Sequence, residues 1–260
     1  MQIPSEIILQ EQITGDIFRM YLYTPDIACS AKPGQFVHVR IRAAIDPLLR
    51  RPFSIHRVSE DGKQIVILYR VIGQGTEIMS RMQPGESLDL MGPLGNGFKL
   101  NQDFTRALIV AGGMGSAPIF FLMDELIRMK KQIVLFWGVR EGKEIFQEEK
   151  LRESGIDVRI ASEDASKGHC GFVTELLTDF LKNHEESGDM GFVCGPECMI
   201  HEVQKIVHGN QKPWQASLEE RMACGVGVCL GCAVSIREKG YQMVCHDGPV
   251  FSLEEIQFHG

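Results

Sequence analysis

Ala107-Leu108-Ile109-Val110-Ala111-Gly112-Gly113-Met114-Gly115-Ser116-Ala117-Pro118 is the stretch on which the fold turns. Five apolar residues in a row predict a strand buried on both faces, as in a parallel sheet. The glycines predict a tight loop, and Ile119, Leu122, Met123, Leu126 and Ile127 then continue at helical spacing. The uncharged run 107–123 is too short and too rich in glycine for a membrane span. It reads as strand, loop, helix. The loop lacks a full G-x-G-x-x-G fingerprint, because Pro118 stands where the third glycine would be. Proline is tolerated near the first turn of a helix, where its missing N–H has no partner. Backbone amides and the helix dipole therefore remain available to a pyrophosphate.

Toward the C-terminus the alternation repeats. Strands are predicted at 133–138, 157–161 and 190–194, and helices at 148–154, 173–182 and 199–208. Such alternation implies a parallel sheet with its ligand at the strand C-termini. The last strand runs into Cys194-Gly195-Pro196. Arg140, after a strand, is placed to meet a 2′-phosphate or is simply a surface arginine. Glu163 and Asp164, after the next strand, disfavour such a phosphate, which sets NAD ahead of NADP.

Beyond this domain lies Cys224-Gly225-Val226-Gly227-Val228-Cys229-Leu230-Gly231-Cys232, followed after twelve residues by Cys245. Four thiolates spaced C-x4-C-x2-C…C are the usual ligands of a plant-type 2Fe–2S cluster. Gly225, Gly227 and Gly231 are expected to take positive φ and bring amides close to the sulfides. Residues 233–237 and 241–244 read as a hairpin that returns Cys245 to Cys232. A structural zinc site also takes four thiolates, but usually from two separated knuckles. No signal peptide is read at Met1-Gln2-Ile3-Pro4, so disulfides are the weaker expectation. Cys29, Cys170 and Cys198 show no ligand spacing and are expected to pack or face solvent.

On the N-terminal side the pattern is short strands cut by turn residues. Ile7-Ile8-Leu9 and the strand 17–22 flank Thr14-Gly15-Asp16, a hairpin signal. Further strands at 35–41, 53–58, 64–71 and 87–91 suggest an antiparallel barrel or sandwich. Two stretches there can carry chemistry. Arg50-Arg51-Pro52-Phe53-Ser54 offers a guanidinium for a pyrophosphate and a hydroxyl for a flavin ring nitrogen. Leu68-Tyr69-Arg70-Val71-Ile72-Gly73-Gln74-Gly75-Thr76 ends a strand in a glycine loop before a short helix, a phosphate-site arrangement. Alone, each is a solvated strand start or an ordinary turn.

Composition narrows the classes. The 260 residues are 44% hydrophobic and 23% charged, with net charge −7. A mildly acidic chain without a Lys/Arg cluster argues against nucleic acid and anionic membranes as partners. There is no internal repeat and no low-complexity tract.

Taken in this order, R-x-[FY]-[ST], G-x-G-[ST], G-G-x-G-x-A-P and C-G-P resemble the ferredoxin–NADP reductase superfamily. The resemblance implies FAD, with Arg51, Pro52, Phe53 and Ser54 on its pyrophosphate and ring. It also implies Leu68, Tyr69 and Arg70 beside the flavin and Gly75 and Thr76 on its phosphates. NAD would take Gly112, Gly113, Gly115, Pro118, Gly195 and Pro196. Cys194 would lie near the hydride path as a catalytic residue; the alternative is a small buried packing residue. Nicotinamides exchange two electrons and a cluster one, and a flavin is the cofactor able to bridge them.

No length remains for a substrate-oxidising domain, so electrons must cross to a partner, with the cluster loop as the contact. The runs 219–224 and 244–251 narrow the match. Over essentially its whole length the chain resembles the electron transfer subunits of NAD-dependent dihydroorotate dehydrogenase B. That implies a cytoplasmic heterotetramer of pyrimidine biosynthesis, two subunits of each kind, with a catalytic partner carrying FMN in a (β/α)8 barrel. Electrons from dihydroorotate would pass FMN, cluster, FAD and NAD in turn.

Two rivals stand beside it. One is a reductase subunit of sulfide dehydrogenase, glutamate synthase or transhydrogenase type, where the first cluster ligand is often aspartate rather than Cys224. The other is a zinc-stabilised binding module, which leaves Arg51 to Ser54 and Gly112 to Pro118 without a purpose. The expected fold is multi-domain α+β. It comprises an N-terminal antiparallel flavin-binding β-barrel (1–100), an α/β Rossmann-like nucleotide-binding domain (101–215) and a small C-terminal 2Fe–2S subdomain (216–260).

Overall fold

The computed structural model describes residues 1–42, 45–184, 188–209 and 212–258. Six strands, β1 (Gln2–Thr14), β2 (Ile17–Tyr23), β3 (Phe36–Arg40), β4 (Arg51–Val58), β5 (Gln64–Arg70) and β6 (Ser87–Leu94), close a barrel in the order β1-β2-β5-β4-β3-β6. Every pair is antiparallel. The Thr14-Gly15-Asp16 hairpin forms as expected, but β1 is 13 residues long where three were read. One part pairs with β6 and the rest with β2, with a register shift between Ile7 and Leu9. That irregularity breaks the alternation a sequence reading depends on. Two short helices interrupt the barrel, α1 (Pro25–Ala28) and α2 (Gln74–Ser80).

Strand β3 is buried on both faces. Val37 and Val39 fill the barrel with Met20, Leu22, Ile55 and Ile67. Phe36 points outward and packs among residues of the C-terminal segment, including Cys232 and Val244.

The second body is a sheet of seven strands. Its members are β7 (Arg106–Gly112), β8 (Gln132–Val139), β9 (Asp157–Ser162), β10 (His169–Cys170), β11 (Asp189–Cys194), β12 (Trp214–Ser217) and, from the chain's end, β15 (Val250–Ser252). The order is β10-β9-β8-β7-β11-β12-β15, parallel except for the last pair. Helices α3 (Ser116–Arg128), α4 (Glu148–Glu153), α5 (Val173–Asn183) and α6 (Glu197–Val207) connect the strands. All of β7 is buried, as its unbroken apolar run requires.

Strands β12 and β15 were not expected. Each is too short for periodicity to register, and the expected boundary between 215 and 216 passes through β12. Between them the chain leaves the sheet, forms the cysteine loop and the expected hairpin β13 (Ala233–Ile236) and β14 (Gly240–Met243), and returns. Barrel and sheet meet along α3, where His56 Nδ1 lies 2.8 Å from the Ala117 carbonyl and Arg57 pairs with Asp124 at 3.1 Å.

Candidate functional site

A cleft of about 280 Å³ runs between barrel and sheet. It gathers Pro52, Phe53 and Ser54 from β4, Leu68, Tyr69 and Arg70 from β5, and Thr76 from α2. The opposite wall is Met114 of the glycine loop and Ala117 of α3, with Ser217 to Glu220 and Met222. Residues read separately from two motifs thus share one wall because β4 and β5 are antiparallel neighbours. Phe53 meets Tyr69 edge-on at 5.8 Å, giving an apolar, aromatic lining suited to a flat ring.

Individual side chains differ from the simple reading. Tyr69 is 2% exposed and its hydroxyl donates to Gln10 Oε1 at 3.1 Å, so the phenol is anchored inside the barrel. Burial pushes its pKa up and keeps it protonated. Arg70 is already paired, with Asp16 at 3.3 Å and with Glu144 across the domain boundary. Leu68 packs on Ile17 and Ala117 beneath the start of α3. The Thr76 hydroxyl accepts the N–H groups of Ile72 at 3.0 Å and Gly73 at 3.3 Å, and donates to the Gly73 carbonyl. It builds the loop rather than standing open. A side chain at Gly75 would lie 3.6 Å from Arg51 Nε, which sets that guanidinium against the first turn of α2. Arg50, by contrast, is held by Asp89 at 2.7 Å.

On the sheet side, the turn after β7 and the turn after β11 interlock. A side chain at Gly115 would strike the Cys194 carbonyl at 2.4 Å, and one at Gly112 would strike Met199 and Pro196. Gly113 takes φ +51 with nothing near its Cα hydrogen, leaving that edge of the loop open. Pro118 is buried in the first turn of α3. Cys194 is fully enclosed. Burial first, then the nearby Glu219 carboxylate, raises its pKa and holds it as the neutral thiol. Arg140, Glu163 and Asp164 are all exposed beside one another, since the Asp164 amide donates to the Arg140 carbonyl at 3.1 Å. The Asp164 carboxylate is engaged by Ser166 at 2.7 Å.

A second cleft, about 370 Å³, opens beside Gly195 and Pro196 and reaches to Ala233, Val234 and Tyr241 of the hairpin. Leu218, Glu219 and Glu220 line both clefts. Sequence reasoning quoted Glu219 only within a family motif. Its place two residues beyond β12 is the signal in the sequence, and it is hidden because that four-residue strand is too short to declare itself. The carboxyl is exposed to the clefts yet walled by protein, and that surrounding desolvation raises its pKa.

The four cysteines are brought together in two pairs. Cys224 and Cys229 are within hydrogen-bonding reach of each other, and so are Cys232 and Cys245. Among the described residues no three ligand side chains converge on one point. Two pairs suit a two-iron centre, each iron taking two thiolates. Main-chain amides already point at sulfur: Gly227 donates to Cys245 Sγ at 3.1 Å and Val226 to Cys224 Sγ at 3.4 Å. Burial would raise the Cys224 thiol, but the amides of Val226, Cys229 and Val228 prevail and bring it to about 6. Burial, reinforced by Cys232, pushes Cys245 up to about 12.

Gly225 and Gly227 take positive φ as expected, at +71° and +82°, and each packs on a histidine, His38 and His246. Gly231 does not. The left-handed residue there is Leu230, at +60°. The turn needs one such residue, and it falls one position earlier. Cys29, Cys170 and Cys198 are exposed. Among the described residues no helix is long and apolar enough to cross a membrane.

Comparison with known proteins gives the following matches. Residues 5–98 match the oxidoreductase FAD-binding domain and residues 109–205 the oxidoreductase NAD-binding domain. Residues 219–257 match the iron-sulfur cluster binding domain of dihydroorotate dehydrogenase B. The chain is 40% identical over 250 residues, 95% of either chain, to the dihydroorotate dehydrogenase B (NAD(+)) electron transfer subunit of Desulforamulus reducens. It is 36% identical over 256 residues, 96% of either chain, to the subunit of the same name from Geobacillus sp.. A chain of the NADH-dependent reduced ferredoxin-NADP oxidoreductase, solved for its flavin-based electron bifurcation, superposes with TM-score 0.86 at 25% identity. That superposition covers 97% of this chain and 89% of that one. A ferredoxin NADP+ reductase from Neisseria gonorrhoeae shares the fold, with TM-score 0.69 at 17% identity over 81% of this chain and 94% of its own.

Proposed function

The chain belongs to the family of dihydroorotate dehydrogenase B (NAD(+)) electron transfer subunits, and from that membership we propose that it conducts electrons from a catalytic partner's FMN to NAD+. It is an oxidoreductase subunit with FAD-, NAD- and iron–sulfur-binding domains. The observation that carries the reading is the run from Ser217 to Cys224. Within it, Leu218, Glu219 and Glu220 line both clefts, Met222 closes the flavin side, and Cys224 opens the cluster loop. Three sites meet along eight residues or so, the proximity that electron transfer between cofactors needs.

In this reading Phe53, Met114 and Ala117 would line the flavin ring, Leu68 would support Ala117 from beneath, and Ser54 would supply a hydroxyl to the ring. Pro52 stiffens the strand start, Tyr69 backs Phe53 from inside the barrel, and Arg70 holds the nucleotide domain through Glu144. Arg51 with the backbone at Gly75 and Thr76 receives the pyrophosphate. Gly112, Gly113, Gly115 and Pro118 receive NAD, with the nicotinamide toward Cys194, Gly195 and Pro196. Cys194 is the closed floor there, a thiol that excludes water. Once bound, the flavin supplies the exchange between two-electron and one-electron chemistry. Cys224, Cys229, Cys232 and Cys245 bind the cluster as thiolates.

The rim of the cluster loop carries exposed Val226, Val228 and Leu230, at 42%, 76% and 64% exposure. Apolar residues clustered on a surface loop suit a protein partner. We assign this rim to the FMN-bearing catalytic subunit in a cytoplasmic assembly of two subunits of each kind.

The test separates the two halves. Alone, the chain is expected to pass electrons from NADH to a dye but not to oxidise dihydroorotate. With its partner it is expected to support dihydroorotate-dependent reduction of NAD+. Dihydroorotate oxidation by the chain alone, or no coupled activity with an FMN-loaded partner, overturns the reading.

A further inference from the structure

Strand β3 carries a histidine that neither the flavin cleft nor the cysteine ligand set includes. His38 alternates with Val37 and Val39, so it faces outward from the barrel, yet it is 0% exposed. What covers it is the cluster loop. A side chain at Gly225 would strike His38 Nδ1 at 2.5 Å, so the loop backbone lies flat on the imidazole. On the barrel side, the register sets His38 opposite Pro52. Arg50 donates to the His38 carbonyl at 3.2 Å, fixing the strand.

The ring is buried with both nitrogens unpartnered, Nδ1 and Nε2 alike. Buried polar atoms are ordinarily satisfied, and one left over marks a place where another group completes it. The main-chain groups nearest the imidazole are those of Arg50 on the barrel side and Cys224 on the loop side, and neither reaches hydrogen-bond geometry with it. An imidazole carries at least one ring N–H to donate, whatever its charge.

We propose that His38 positions the 2Fe–2S cluster, its ring N–H donating to the Cys224 end of the centre and tying it to the strand beside Pro52. The proposal rests on the reading of Cys224, Cys229, Cys232 and Cys245 as cluster ligands. It makes His38 a single-residue link between the flavin strand and the cluster loop. Hydrogen bonds to the sulfurs are among the factors that set an iron–sulfur potential. A donor favours the more negative, reduced centre, so its loss is expected to favour the oxidised one.

The experiment uses the purified, cofactor-loaded chain. Iron and sulfide content of the wild type tests the cluster reading by itself. His38→Leu and His38→Gln are then compared by EPR of the reduced centre and by redox titration, with FAD content as a control. His38→Leu is expected to retain FAD, to change the EPR g-values and to lower the reduced-to-oxidised ratio about tenfold at fixed potential. For a one-electron couple that is about 59 mV. His38→Gln, which keeps a donor, is expected to recover most of the shift. An unchanged potential and spectrum in His38→Leu overturns the proposal, and so does an equal shift in His38→Gln. If the leucine variant does not accumulate, pulsed EPR on wild-type and His246→Gln protein grown with 15N-histidine decides. A 15N coupling that survives in His246→Gln supports His38, and its absence overturns the assignment.

Discussion

Cys229 is the most direct residue-scale probe, because it is an exposed member of the proposed ligand set. Cys229→Ser is expected to abolish the visible cluster absorption while FAD stays bound, since the flavin cleft has its own walls on β4 and β5. Loss of both cofactors together would show that the sites form one unit. Arg51→Ala is expected to lower FAD affinity roughly ten- to a hundredfold, the loss of one charge-assisted contact. FAD content after extensive dialysis measures it. His56 makes a pH prediction. Burial holds its folded pKa near 3, well under 6.5. As pH falls below 6.5 the unfolded chain takes up a proton that the folded chain refuses, so stability falls, by up to about 1.4 kcal/mol per pH unit. Denaturation midpoints at pH 7 and pH 5 should show a smaller drop in His56→Phe than in wild type. The cysteine spacing, Arg51 to Ser54 and the glycine loop were legible because each is a local pattern of chemistry-bearing residues. His38 and Glu219 were not, because their roles arise from what the rest of the chain lays over them.

At the scale of elements, the long apolar or alternating segments were readable and the short ones were not. Strands β7 and β8 and helix α3 declare themselves through runs and periods. β15 is three residues, and nothing in Val250-Phe251-Ser252 announces a strand until Gln215, Ala216 and Ser217 are set beside it. It is nonetheless part of a core. Phe251 is 6% exposed, and a side chain at Gly248 would strike its ring at 2.4 Å. Phe251→Ala is expected to cost about 3 kcal/mol, the range for truncating a buried aromatic. The loss should be seen in urea unfolding of the nucleotide domain, followed by the fluorescence of Trp137 and Trp214. An effect confined to the cluster absorption would mean that β15 serves only the iron site.

Across the whole molecule, the cluster segment is an excursion from the sheet rather than an appendix. It leaves at Ser217 and re-enters at Val250, and Asn96 of the barrel donates to the carbonyls of His246 and Asp247 on the way. The cluster pins the middle of an otherwise roughly 30-residue loop, whose closure entropy changes only slowly with length. Removing iron with a chelator is therefore expected to lower the thermal midpoint of the chain modestly and leave the barrel's FAD in place. Collapse of the whole fold on iron loss would contradict that. The three-part order was visible in the sequence, but the interleaving was not, since pairing of β12 with β15 joins residues on opposite sides of the cysteines.

That pairing has a meaning for biogenesis. Ribosomes make chains from the N-terminus, and domains complete in that order. Cys224, Cys229, Cys232 and Cys245 all precede the strand Val250–Ser252 that fastens their segment back onto the sheet. The barrel and the first six strands of the sheet can therefore form before the segment carrying the thiols is fastened at its far end. Until β15 pairs with β12, those thiols would stand on a segment held at one end only, open to an iron donor.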